Sequence, residues 1–238
     1  MPYPDWRKRR AVSPARRPPL HWRMPATAHL HVILVPGADA RGFDEDAAFV
    51  RDLPIGLETL TLTPPTGHPI DARRGYFDAV AGRIAGAAAR ARLARPGALV
   101  AGIGRNHGGS LLAHAQARGA GLDALVLPGV IPALSRFRAD SGHASARAFR
   151  AVLQATGEGA RIAETAGLDL TASLRRVEPE ICLLQVGHRD DWIDAAAREL
   201  FRTLDGRFPL VWYDDDHAMA APATVAARWA FLRRLARR

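Results

Sequence analysis

The chain has 238 residues, 48% of them hydrophobic, a formal net charge of +9 and a single cysteine, Cys182. That length can bury the core of one α/β domain, and no apolar run reaches the roughly 18 residues that a membrane span needs. One cysteine excludes an internal disulfide and fits a reducing, cytoplasmic setting; within the apolar run at 181–184 it reads as a buried strand residue.

The positive charge is concentrated at one end. Arg7, Lys8, Arg9, Arg10, Arg16, Arg17 and Arg23 all precede Met24, opposed there only by Asp5. Residues 1–23 lack the apolar centre of a signal peptide and read as a flexible basic arm. Three readings stand for it: a disordered tail, an extension ahead of a start at Met24, or an arm for an anionic partner. Residues 24–238 carry only a small positive excess, with no basic face interleaved with aromatics. Nucleic acid is therefore not an expected partner.

From residue 29 the chain alternates between two patterns. Residues 29–35 form a near-continuous apolar strand, followed by a loop at 36–42 and helical spacing over 43–53. A strand is expected at 57–62, a non-helical Pro-rich loop at 63–69, and a long helix over 71–93 stopped by Arg95, Pro96 and Gly97. Residues 99–114 then run from an apolar strand through a glycine cluster into an alanine-rich helix. A further strand is expected at 124–127. Residues 129–180 break the rhythm, with helical stretches at 144–155 and 158–166 and no strand. At that length they read as a helical lid set over the carboxyl ends of the strands. The rhythm returns with strands at 181–186 and 209–213, a helix over 194–204, and a closing amphipathic helix from Pro222 with arginines on its outer face. The pattern predicts an α/β fold, a doubly wound, mostly parallel sheet.

Three polar clusters follow strands: Gly104 to Gly109, the loop at Asp190, and the loop at His217. Gly104, Gly108 and Gly109 sit where a sharply reversing chain needs residues without Cβ. The pattern Gly104-x-Asn106-x-Gly108 resembles the Gly-x-Ser-x-Gly nucleophile elbow of the α/β-hydrolase superfamily, with Asn106 at the serine position. Val35, Pro36, Gly37 and Ala38 look like that superfamily's oxyanion loop. Gly187-x-x-Asp190-x-x-Ile193 is similar to its acid loop, and His217 to its terminal histidine. The four resemblances come in the superfamily's order over residues 29–238.

The resemblance implies backbone N–H donors at Ala38 and His107 for a developing oxyanion, with Asp190 orienting His217 as general base. Asn106 has no oxygen that becomes a good nucleophile, and Ser110 lies about one turn further into the helix. The expected function is therefore an enzyme acting on an ester, thioester or related small carbonyl compound through a His–Asp dyad. Two other readings stand: a degenerate hydrolase that binds a ligand or partner, and an Asp-to-Asn form of an aspartate-nucleophile hydrolase. His68 and His188, in loops near the rim, are candidate substrate contacts. Arg105 and His114 read as surface or helix-packing residues, and Trp192, Trp212 and Trp229 as packing residues. No cofactor is expected. Asp214, Asp215 and Asp216 beside His217 read as solvated or helix-capping acids in preference to a metal site.

Overall fold

Strands that are apolar on both faces demand cover on both, and the described strands alternate accordingly. In the computed structural model, residues 29–37, 42–62, 70–133, 151, 154–155, 157 and 161–237 are described. Within them one sheet is built from β1 (Leu30–Val35), β2 (Ile55–Thr59), β3 (Leu99–Gly104), β4 (Ala124–Pro128), β5 (Cys182–Gly187) and β6 (Leu210–Tyr213). The order is β2-β1-β3-β4-β5-β6 and every neighbouring pair is parallel. Its helices are α1 (Asp44–Val50), α2 (Ile70–Ala94), α3 (His107–Ala117), α4 (Leu170–Leu174), α5 (Ala195–Leu204) and α6 (Pro222–Leu235).

Successive residues of the inner strands serve opposite cores. Ile33, Val35, Val100, Leu125, Leu127, Leu184 and Val186 face the layer made by α2, α3, α4 and α5. On the other side Val32 joins Leu30, Leu34, Ala101, Ile103, Val126 and Leu183 against α1 and α6. Helix α3 lies very close to β3: a Cβ added at Gly102 would fall 2.6 Å from Leu112 Cδ1. No helix among the described residues is long and apolar enough to cross a membrane.

The strand order fixes where a ligand can bind. The chain moves outward from β1 to β2, then returns to the other side of β1 for β3. The crevice beyond the carboxyl ends of β1 and β3 is thus the topological switch point. The register Leu30↔Leu99 to Val35↔Gly104 brings those two ends level.

Some expected boundaries move. Helix α1 stops at Val50 instead of 53, ahead of Pro54, whose ring disfavours helical backbone at the residue before it. Strand β2 runs from Ile55, paired Leu30↔Ile55 to Leu34↔Thr59. Within the expected lid at 129–180, Leu170, Leu174 and Val177 are buried in the main core, with α4 seated on α3. That end of the segment belongs to the helical layer, followed by a 3-10 turn at Pro179–Ile181 that leads into β5. Residues 134–150, the basic arm at 1–23, Ala38 and His68 lie outside the described residues.

Candidate active site

The elbow is stitched to strands on either side of it. Arg105 N–H donates to Val35 O at 3.1 Å, and Asn106 N–H to Pro128 O at 3.2 Å. Gly108 and Gly109 N–H then donate to Arg105 O and Asn106 O and open α3. Between these bonds Asn106 is held at φ 51, ψ −120. That lies outside the ordinary regions for a residue with a Cβ, at a cost of about 1–3 kcal/mol. Small residues allow the reversal. A Cβ at Gly104 would sit 2.6 Å from Gly108 O, and one at Gly108 would strike Val35 O.

The side chain of Asn106 is half-buried. The next N–H, that of His107, has no acceptor among the described residues. The His107 ring lies parallel to Tyr76, with centroids 6.3 Å apart, and meets Phe77 edge-on at 5.3 Å. Burial, with the nearby Arg73 guanidinium adding to it, pushes the imidazole pKa down to about 3. His107 is therefore neutral at physiological pH.

The loops after β5 and β6 clasp one another. His188 N–H donates to Tyr213 O, and Arg189 N–H to Asp215 O. This brings Asp190, 2% exposed, against His217, with Oδ2 2.8 Å from Nδ1. The other carboxylate oxygen accepts the Trp192 N–H at 2.9 Å. An aspartate at Nδ1 favours the tautomer protonated there and leaves a lone pair on Nε2. That Nε2 is buried and has no hydrogen-bond partner among the described residues. The Trp192 indole stacks on the imidazole, centroids 5.4 Å apart.

Asn106 and His217 flank one turn. Asn106 N–H is bound to Pro128 O, and a Cβ at Gly129, which has φ 60, would strike His217 O. The sequence-expected residues Asn106, His107, Asp190 and His217 are thus gathered at the carboxyl edge of the sheet. His188 is exposed and stacks on Trp212, centroids 5.4 Å apart. Asp215 Oδ2 accepts from Ala221 N–H and Thr224 Oγ1 and so secures the start of α6. No group of three or more His, Cys, Asp or Glu residues among those described could hold a metal ion.

Beneath the site runs a buried polar network that the sequence pattern missed. The Asp46 carboxylate accepts two hydrogen bonds from Arg228, at 2.7 and 3.0 Å, and one from Trp229 Nε1 at 2.9 Å. Arg228 also donates to Met219 O, just past His217, and Arg105 places a guanidinium nitrogen 3.6 Å from the same carboxylate. Arg105, expected at the surface or in helix packing, is 2% exposed, caps Gly42 O and lies over the Phe43 ring. Arg228 is wholly buried instead of joining the outer face of α6. One signal was available: Asp46 and Arg228 each interrupt an apolar helical stripe, among Phe43, Phe49 and Val50 and among Val225, Trp229 and Leu232.

No family model matches the chain, and no curated protein matches it in sequence. Solved structures do match. A puromycin hydrolase shares 17% identity over 89% of this chain and 35% of its own, with a TM-score of 0.62. A puromycin-hydrolyzing peptidase from Mycobacterium tuberculosis shares 18% over 89% of this chain and 34% of its own, at 0.59. The chain thus spans about a third of each of these two proteins. A protein from Xanthomonas campestris pv. campestris, described as a hydrolase of the alpha/beta superfamily, shares 18% over 86% of this chain and 96% of its own, at 0.50. With its parallel six-stranded sheet, helices on both faces and a turn of this kind after β3, the chain has the α/β-hydrolase fold.

Proposed function

We propose that the chain is a hydrolase of small esters, thioesters or related carbonyl compounds in which a His–Asp dyad acts without a serine. The supporting observation is His217: Nδ1 is engaged by Asp190, while Nε2 is buried and, among the described residues, unpartnered. An imidazole so placed accepts a proton at Nε2 from water as the water attacks a carbonyl carbon, a contribution of about 10²–10⁴ in rate. The His107 N–H, also without an acceptor among the described residues, is a donor for the oxygen that becomes negative, worth about 3 kcal/mol. The Ala38 N–H is the second donor in this reading, and the Asn106 amide orients the carbonyl or the water. His188 and His68 are the candidate substrate contacts in this reading. That two structural neighbours are puromycin hydrolases is consistent with carbonyl hydrolysis as the reaction class.

Hydrolysis of p-nitrophenyl esters and acyl thioesters by the parent chain, Asn106→Ser and His217→Ala tests the reading. Activity in the parent that disappears in His217→Ala is the expected outcome. An inert parent with an active Asn106→Ser would mean that the site has lost its reaction for want of a nucleophile, and would favour a ligand-binding protein.

A further inference from the structure

The elbow holds the only asparagine of the chain, and its backbone presents the side-chain amide to the next peptide nitrogen. About the Cα–C bond of an L-residue, N and Cβ lie a third of a turn apart, with Cβ on the negative side. A ψ of −120 therefore brings the His107 nitrogen into eclipse with the Asn106 Cβ. From there, rotation about Cα–Cβ alone carries Cγ onto that nitrogen, the approach that closes a five-membered ring. Residues with ordinary negative φ cannot hold this ψ without steric clash; the φ of 51 permits it. Among the described residues the His107 N–H has no acceptor that must first be given up. The half-buried Asn106 side chain remains within reach of water.

We propose that Asn106 is a self-modification site, converted to a carboxylate through a cyclic imide formed with the backbone nitrogen of His107. The nitrogen gives its proton to solvent and bonds to Cγ. The bond from Cγ to the amide nitrogen breaks, and that nitrogen leaves protonated, as ammonia. Water then adds to one of the two imide carbonyls and cleaves its bond to the His107 nitrogen. Opening at Cγ restores the chain with aspartate at 106; opening at the main-chain carbonyl leaves isoaspartate. The net change consumes one water and releases one ammonia, with no oxidation or reduction. Aspartate at this position equips the elbow with a nucleophilic oxygen that asparagine lacks. The inference goes beyond the hydrolase reading and rests on the elbow backbone, not on His217 as a base.

The test incubates the folded full-length chain at neutral pH in heavy-oxygen water, beside the same chain unfolded in urea. Intact mass and peptide sequencing at position 106 follow the reaction. Conversion in the folded chain roughly tenfold or more faster than in urea is expected, since the fold supplies the ring-closing geometry in advance. Both aspartate and isoaspartate should form, each with one heavy oxygen, and His217→Ala should convert at the parental rate. Asn106→Gln, whose amide is one carbon too far for this ring, should stay intact at 106. Persistence of asparagine in the folded chain while the unfolded chain converts overturns the proposal. So does a product that is aspartate alone and is lost in His217→Ala, because that pattern belongs to water activated by the histidine. Loss of ester hydrolysis in the preceding assay has no bearing on this mass reading, so the two proposals fail separately.

Discussion

Aromatic neighbours hold both histidines at the site. Trp192 acts on His217 twice, through a backbone N–H that pins Asp190 and through an indole that covers the imidazole. His107 is enclosed by Tyr76 and Phe77 beside Arg73, and burial lowers its pKa from 6.5 to about 3. The unfolded chain binds a proton at 107 below pH 6.5 that the native chain refuses until about pH 3. The unfolded state thus binds more protons in that window, and native stability falls as pH falls through it. His107→Phe keeps a ring against Tyr76 without titrating. Its urea midpoint should decline less between neutral pH and about pH 4 than that of the parent, and equal declines would show that another group carries the acid sensitivity. Cys182, as its apolar surroundings suggested, is fully buried, and burial pushes its thiol pKa far up. Asn106, Asp190 and His217 were legible in sequence because each follows a strand at a motif spacing. Trp192 was not. Its role depends on where the β5 loop folds back, and an indole two residues from an acid looks like any packing residue.

At the level of elements, the elbow is a problem of close approach between β1, β3 and the start of α3. Gly108→Ala places a methyl group into Val35 O and must push β1 and α3 apart. We expect a loss on the order of 1–3 kcal/mol in denaturant unfolding, as for other overpacked sites. Gly82→Ala is the contrast: on α2 an added Cβ meets nothing within 4 Å. It should raise stability by about 0.5–1 kcal/mol, because alanine suits a helix better. If both substitutions act alike, the crowding at the elbow is relieved by small shifts and does not constrain it. The inner strands were easy to find in sequence, since each is a short apolar run with a glycine or proline signal beside it. Strand boundaries were less so: β2 begins two residues before its apolar alternation, because its first rungs are dictated by pairing with β1.

The whole molecule is tied together by a carboxylate. Asp46 of α1 accepts from Arg228 and Trp229 of α6 and lies close to Arg105 of the elbow. Through Arg228 the same network reaches Met219 O beside His217. Asp46→Ala leaves two buried guanidinium groups without their shared anion, and should cost about 3–5 kcal/mol in chemical denaturation. Adding Arg228→Met should recover part of that loss; two costs that simply add would show that the residues are not coupled. The parallel sheet and the place of the candidate site were legible from alternating strands and helices. This network was not, because which helix meets which across the sheet is a matter of tertiary packing that neither stripe declares alone.

That same ion pair has a consequence for the order in which the molecule comes into being. Asp46 and Arg228 are separated by 182 positions, so their contact carries one of the longest loop closures the chain can make. During synthesis β1, α1, β3 and the elbow emerge well before α6, and until then Asp46 has no Arg228 to answer it. With only the Arg105 guanidinium near it, at 3.6 Å, the carboxylate lacks the hydrogen bonds that Arg228 and Trp229 supply and resists burial, so the α1 face of the sheet stays open until α6 arrives. The final packing of the elbow and the histidine loop therefore falls at the end of folding, with long-range closure setting its pace.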